Sequence, residues 1–380
     1  MFRYLPSIVA FIALSIAPLV QASYSIDHID LMTTLEQDNL IKANLFRVDA
    51  KIKTPYQNQS AVRPITGASL LAKLNTPVKG LSFMTQLYQP YANSIVYTQY
   101  PWQEASMRSI ALSLTGAYRI PDTGFSFSGS VDWVKVRQVS LSLGSGNGHL
   151  GIGDSPLARL TSEGSSPMSN SYHVAAGYQY DPLALKLLLS YHAKAGYQHH
   201  LTQNFFVSGK HPSEITFDAQ MGISPTTLLT TGVMYNQYKG SNVYLNGPSP
   251  HTPFQLTHFG NSAAYKVGVG HKLSQTLSMG LGLQYSPGSS KTGDDFLSPT
   301  NGSTAIQLGL NYKLASATVS TSYSSVYFGD KIVGPSSPEI AYLSSILYNS
   351  FNSGVQPFNP TLAFKNSRAN IPSVTVSYRY

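Results

Sequence analysis

The sequence predicts an all-β protein, a transmembrane antiparallel β-barrel of 14 strands with short periplasmic turns and long extracellular loops. Three observations support this. Apolar and small polar residues alternate with a period of two through much of the chain. The links between these stretches alternate strictly between short and long. Only 11% of the 380 residues are charged, against about 25% in soluble domains.

The alternation is clearest in the predicted hairpin at residues 110–136. Large side chains such as Leu112, Leu114 and Phe127 alternate with small or polar ones on both sides of a turn at Pro121–Gly124. A soluble sandwich would carry long charged residues on its outer faces, and they are scarce here. Lipid outside and a polar interior suit this pattern. The hairpin alone leaves the sandwich and the barrel equally open.

The first 22 residues are predicted to be a signal peptide cleaved after Ala22. Arg3 precedes an apolar stretch that ends at Val20 and contains Pro18. This stretch is too short for a spanning helix, although a membrane anchor is the alternative. Residues 23–41 are expected to form a short N-terminal periplasmic or lumenal segment, and residues 42–380 the barrel. The chain has no cysteine, which excludes a disulfide framework.

The barrel strands are predicted in pairs along the chain. Their ranges are 42–53, 65–74, 80–89, 107–119, 124–137, 171–180, 184–199, 213–223, 226–240, 262–273, 275–286, 303–313, 315–328 and 371–380. A sandwich has no reason to alternate short and long links, whereas an outer-membrane barrel does. The last strand ends on the aromatic Tyr380, typical of recognition by the barrel-insertion machinery. We therefore expect a protein of the outer membrane of a Gram-negative bacterium.

The polar strand faces predict a cationic lumen. If they point inward, Arg47, His192, Lys194 and Lys266 line it as ligand-binding candidates. A positive field favours anionic solutes; the alternative is that these groups are solvated or paired inside the barrel. The net charge of +8 is scattered, with no basic run that would indicate nucleic-acid binding.

The longest loop contains a predicted amphipathic helix at residues 338–351. Leu343, Leu347 and Phe351 fall on one helical face, which indicates an apolar lid that captures a hydrophobic ligand. The alternative is a helix that covers the barrel rim.

Signals for catalysis, metals and cofactors are weak. Gly153–Ser155 lacks the partners of a catalytic triad. The adjacent His199 and His200 would point to opposite faces of a strand, so with His211 they make a poor metal site. We expect no enzyme activity, no cofactor and no bound metal.

Several segments resemble the family of outer-membrane long-chain fatty-acid transporters, the FadL type. They are residues 112–136, with the GAYR motif at Gly116–Arg119, and residues 177–205, 264–289 and 307–330. The resemblance implies a monomeric 14-strand barrel that moves hydrophobic molecules inward. Its implied partners are a hydrophobic small molecule such as a fatty acid or hydrocarbon, outer-membrane lipid, lipopolysaccharide and the insertion machinery. The implied route is capture by loops, a lumenal pocket and a lateral exit.

The sequence also departs from that family. Residues 23–41 are a shortened N-terminal hatch without its Asn-Pro-Ala element. The family's carboxylate-holding Arg and Lys align near Ser142 and Gly260 of this chain, and neither residue is a cation. Arg137 is the possible substitute. The third strand, kinked in the family, has Gly80 as its only glycine. A general or anion-preferring channel therefore remains an alternative, as does a surface adhesin or structural barrel.

Overall fold

The structure is a computed structural model. It describes residues 30–53, 62–90, 92–96, 102–143, 159–162, 166–193, 196–200, 206–237, 240–247, 253–255, 260–288, 301–333 and 362–380. The predicted signal peptide and the predicted loop helix lie outside the described residues.

The described chain is almost entirely strand. In order the strands are β1 (Leu40–Lys53), β2 (Ile65–Asn75), β3 (Leu81–Tyr88), β4 (Ala92–Val96), β5 (Trp102–Arg119), β6 (Phe125–Leu143), β7 (Arg159–Ser162), β8 (Ser169–Tyr180), β9 (Leu185–Ala193), β10 (Gly196–His200), β11 (Phe206–Lys210), β12 (Ser213–Ser224), β13 (Thr227–Gln237), β14 (Val243–Asn246), β15 (Phe254–Gln255), β16 (Ser262–Lys272), β17 (Leu277–Ser286), β18 (Ser303–Leu314), β19 (Ala317–Phe328), β20 (Lys331–Val333) and β21 (Leu362–Arg379). Two 3-10 helices lie at Leu31–Leu35 and Asp181–Leu183.

The wall is a closed antiparallel barrel of 14 strands, as predicted. Each wall strand pairs with its neighbours in sequence, and β1 closes the ring by pairing with both β2 and β21. β3 and β4 together form the third wall strand, whereas β7 and β20 extend the ladders of β6 and β21 beyond the barrel. Closure pairs the first wall strand with the last, so the sheet has no free end strands, as a membrane-spanning sheet requires.

Some predicted strand ends are wrong. β6 continues to Leu143 and β21 begins at Leu362, because both ladders extend past the barrel wall on the side of the long links. The predicted strand 184–199 ends in the wall at Ala193. Residues 196–200 instead form β10 of a separate sheet with β11, β14 and β15, also on the long-link side.

The outer surface carries two rings of exposed aromatic residues, which we name the lower and upper girdles. The lower girdle, beside the short turns, comprises Tyr118, Phe125, Tyr180, Tyr312 and Tyr378, and the upper girdle comprises Tyr172, Tyr191, Tyr235, Tyr265, Tyr285 and Tyr323. Exposed Leu, Val and Phe side chains fill the band between them. Two aromatic girdles around an apolar band are the arrangement that lipid requires of a barrel.

No helix in the described part of the chain is long and apolar enough to cross a membrane.

Residues 30–39, which we name the plug segment, enter the lumen from the short-turn side. Leu31 and Leu35 are buried against inward side chains of four wall strands, among them Leu71, Met84 and Leu188. The apolar face of the short 3-10 helix drives this packing, since lumenal water would otherwise contact it.

Candidate functional site

The long-link half of the lumen contains an apolar surface, which we name the apolar sector. It is formed by inward, buried side chains of β1, β2, β19 and β21, which are Phe46, Val48, Ile52, Ile65, Val326, Phe364 and Ile371. The interior of an outer-membrane barrel is usually polar, so a group of inward apolar side chains is a specific feature of this one. These side chains are almost completely buried, so other parts of the chain pack on them. A hydrophobic solute that displaced those contacts would meet an apolar surface.

Phe46 of the apolar sector lies directly opposite a glycine on the neighbouring strand. Its ring lies across Gly67, where an added Cβ would come within 2.2 Å of Cζ. Only glycine leaves room for the ring at this position.

The opposite wall carries a buried polar cluster of Asp132, His173 and His192 from β6, β8 and β9. His173 Nε2 lies 2.5 Å from Asp132 Oδ2, and the two imidazole rings stack with centroids 3.7 Å apart. Tyr88 donates to the same carboxylate oxygen at 3.0 Å, and Ser171 does so at 3.3 Å. The sequence placed His192 in the lumen but missed His173, because only the strand register brings the three residues of the cluster together.

A second lumenal charge pair joins Lys266 on β16 to Asp218 on β12. The two atoms lie 2.5 Å apart across Gly232 on the strand between them. A Cβ at Gly232 would come within 2.3 Å of Lys266 Cε, so glycine keeps the path open for this pair. The predicted cation therefore faces the lumen, but a carboxylate partly neutralises it.

The plug segment is fastened to the wall by charge and by hydrogen bonds. Lys73, which is buried, donates to the carbonyl oxygens of Glu36 and Asp38 at 2.8 and 3.1 Å. Arg379 donates to Glu36 Oε2 at 3.3 Å. Burial alone would raise the pKa of the Asp30 carboxyl, but the Lys42 ammonium 2.7 Å away and Thr33 lower that pKa below its usual range. Asp30 is thus held charged where the segment enters the lumen.

The barrel wall is incomplete beside the third strand. The ladder between β2 and β3 joins Leu70–Asn75 to Ser82–Leu87 only. β4 pairs with β5, and no described ladder joins it to the Ile65–Ser69 half of β2. Gln89 and Pro90 separate β3 from β4, and proline cannot donate to a ladder. The described hydrogen-bonded ladder of the wall is therefore interrupted next to the apolar sector, and we name this interruption the side gap.

An open cleft lies on the long-link side, between the small sheet and the start of β8. It has a volume of about 620 Å³, and its lining includes Met168, Tyr197, Lys210 and Tyr244. Beneath it, Tyr197 is buried and stacks on His211 with ring centroids 4.9 Å apart. Burial lowers the pKa of His211 to about 3, so this histidine is neutral at physiological pH.

Comparison with known structures identifies the architecture. A Pseudomonas aeruginosa FadL homologue matches with a TM-score of 0.70 at 12% identity, covering 91% of each chain. The toluene transporter TodX of P. putida matches with a TM-score of 0.56 at 12% identity over 92% of each chain. The toluene transporter TbuX of Ralstonia pickettii gives 0.55 at 11% identity, over 93% of this chain and 94% of its own. This chain has the FadL-type fold. No protein-family model and no curated protein matches it in sequence.

Within the FadL-type fold, the predicted site residues divide into three groups. His192 and Lys266 face the lumen, as expected. Arg47 and Arg137 are exposed, on β1 and β6. Lys194, Leu343, Leu347 and Phe351 lie outside the described residues.

The strand geometry explains why both arginines are exposed. Arg47 shares the outward face of β1 with Leu45 and lies close to the upper girdle, where a long cationic side chain reaches the head groups. The sequence could not show this, because polar residues on either face alternate in the same way. Arg137 is the unpaired residue of a β-bulge opposite Arg108 and Ser109. It follows the buried Val136, so simple alternation along β6 places it on the exposed face.

Proposed function

We propose that this protein takes up hydrophobic compounds across the outer membrane of a Gram-negative bacterium, as a monomer and without catalysis. The observation that carries the proposal is the apolar sector, since a lumen that conducts only ions and polar solutes has no use for it. The neighbours of similar fold are described as transporters and channels for toluene and monoaromatic hydrocarbons, or as a FadL homologue.

The proposed route has three stages. A hydrophobic solute first binds in the cleft beside Tyr197 and Tyr244, outside the membrane. It then moves along the apolar sector, above the plug segment. It leaves through the side gap between β2 and β4 into the bilayer, so it never has to dissolve in bulk water.

Long-chain fatty acids are the ligand class that we propose. Lys210 lies in the lining of the cleft beside the apolar side chains of Met168 and Tyr244. A cation beside an apolar surface fits a carboxylate with an acyl chain. Lys266 is less suited to this role, because Asp218 already pairs with it.

The decisive experiment introduces charge into the apolar sector. Val48→Asp and Ile52→Asp each place a carboxylate on the buried inward face of β1. Arg47→Asp and Lys51→Asp, on the outward face of the same strand, are the matched controls. Uptake of a radiolabelled long-chain fatty acid by cells that depend on this protein should fall at least tenfold in the inward variants only. Each variant must reach the outer membrane in equal amount, checked by the heat-modifiable mobility of a folded barrel on gels.

Equal uptake in all four variants would refute the proposal. An anion-preferring channel is the second candidate, favoured by the small size of the plug segment. Planar-bilayer recordings separate the two, because large steady currents in the wild type favour the channel. If uptake and currents are both absent, an adhesive or structural barrel is the better explanation.

A further inference from the structure

The polar cluster in the lumen has the chemistry of a metal site. We infer that Asp132, His173 and His192 bind one divalent transition-metal ion, with Zn²⁺ as the best fit. The ligand atoms that these three residues offer all lie within 4.8 Å of one another. They come from three adjacent strands of a closed wall, so the backbone positions are fixed before any ion arrives. The inference does not depend on what the barrel transports.

The donor set points to the ion. Two imidazole nitrogens and one carboxylate oxygen leave a fourth position open, an arrangement common in zinc sites. Calcium and magnesium prefer oxygen ligands and do not suit two histidines. The two imidazole rings are stacked, with centroids 3.7 Å apart.

The second oxygen of the carboxylate provides an independent observation. Asp132 is fully buried, and its Oδ1 accepts no hydrogen bond of good geometry from the described residues, although the Ser113 hydroxyl on the paired strand lies near the carboxylate. A buried carboxylate oxygen without a partner is costly. Binding an ion through Oδ1 removes that cost, while Oδ2 keeps its hydrogen bonds from Tyr88 and Ser171. These two hydroxyls then orient the carboxylate, as outer residues do in metal sites.

The step from this structure to a loaded site is small. Zinc–ligand bonds are about 2 Å long, so ligand atoms around a tetrahedral ion lie roughly 3.3 Å apart. Ligand atoms that are now as much as 4.8 Å apart must approach one another, and His173 Nε2 must move away from Asp132 Oδ2. His173 Nε2 exchanges its contact with Asp132 for one with the ion. The ring of His192 turns about its terminal torsion, which is soft. No change of strand register is needed.

Equilibrium dialysis of the untagged full chain in detergent tests the inference. After treatment with a chelator, the wild type should bind about one Zn²⁺ per chain. His173→Ala, His192→Ala and Asp132→Asn should each weaken binding at least tenfold. Tyr88→Phe should weaken it roughly tenfold, because the carboxylate loses an orienting hydrogen bond. His200→Ala and His271→Ala, at exposed histidines, should bind as the wild type does.

A second measurement guards against variants that fail to fold. Co²⁺ bound to the wild type should give the strong visible absorption of a tetrahedral site, which His192→Gln should abolish while heat-modifiable mobility stays normal. The inference is overturned if the folded wild type binds no Zn²⁺. It is also overturned if Zn²⁺ binding survives His173→Ala and His192→Ala unchanged. In either case the cluster is a hydrogen-bonded network only.

Discussion

Arg379, the penultimate residue of the chain, donates a hydrogen bond from Nη2 to Oε2 of Glu36 at 3.3 Å. The same guanidinium reaches Asp38 from Nε at 3.7 Å. The strand that closes the barrel therefore also holds the plug segment. The side chains of Arg379 and Glu36 are both largely buried, at 15% and 8% exposure, so water screens this ion pair little.

Breaking this ion pair should loosen the plug segment. Glu36→Gln keeps the shape of the side chain but removes its charge, and Arg379→Gln does the same on β21. We expect each variant to raise the steady ion conductance of single barrels in planar bilayers several-fold. Arg368→Gln, an exposed arginine on the same strand, is the control and should leave conductance unchanged.

The charge-swapped pair strengthens this test. Glu36→Arg combined with Arg379→Glu should restore part of the low conductance that either single change removes. If the single variants conduct like the wild type, Lys73 alone is sufficient to hold the plug segment.

The Asp218–Lys266 pair predicts an effect on ion selectivity. Asp218→Asn leaves the Lys266 ammonium without its counter-charge in the lumen. Reversal potentials under a salt gradient should then shift toward anions in any current that the barrel carries, and the shift should shrink at high salt. Asp330→Asn, near the long-link end of β19, is the control. An unchanged reversal potential in Asp218→Asn would show that the pair lies outside the ion path.

Much of the fold could be predicted from the sequence because a barrel wall repeats two simple rules. Alternation gives the strands, and link length gives the side of the membrane. These two rules fail where the chain leaves the barrel wall. Ala193 ends a strand that the pattern extended to His199, because β10 leaves the wall for a separate sheet with the same alternation.

The candidate site was harder to predict, since it depends on register. Asp132, His173 and His192 are far apart in sequence and meet only because three strands align them. The apolar sector was missed for another reason. In the part of β1 beyond the lipid band, the inward residues are apolar and the outward residues are charged. This is the reverse of the pattern inside the band. The sequence alone does not show where the lipid band ends.

His211 predicts that acid weakens the small sheet. Its pKa in the folded protein is lowered to about 3 by burial, whereas an unfolded histidine has a pKa of about 6.5. A base with a lowered folded pKa contributes its full stability above the unfolded value and loses it as the pH falls. Between pH ~6.5 and ~3 the sheet should lose at most about 1.4 kcal/mol per pH unit.

Hydrogen exchange measures this loss directly. Amides of β10 and β11 should exchange faster as the pH falls from about 6.5, after correction for the intrinsic pH dependence. His211→Phe keeps a ring to stack on Tyr197 and should remove the effect, whereas His200→Phe should not. If amide exchange in the wild type and in His211→Phe responds equally to acid, another titratable group causes the effect.

The side gap predicts a position-specific block. Ser69 faces inward on β2 just beyond the last rung to β3, and the adjacent Ala68 is exposed on the outer face. Ser69→Trp should fill the gap from inside and reduce uptake of a hydrophobic probe at least fivefold. Ala68→Trp adds the same bulk toward lipid and should have little effect. Similar uptake in both variants would place the exit elsewhere in the wall.

Lys210 separates the two ligand classes that the cleft could serve. A carboxylate bound beside the Lys210 ammonium gains charge-assisted hydrogen bonds, typically about 1.5–3 kcal/mol, whereas a neutral hydrocarbon gains none. Lys210→Gln should therefore weaken binding of a long-chain fatty acid roughly tenfold or more and leave binding of toluene unchanged, in titrations monitored by tyrosine fluorescence. Lys272→Gln, at the opposite end of the barrel, controls for the loss of net charge. Equal weakening for both ligands would show that Lys210 shapes the cleft and does not hold a carboxylate. No change for either ligand would mean that the acyl chain alone determines capture.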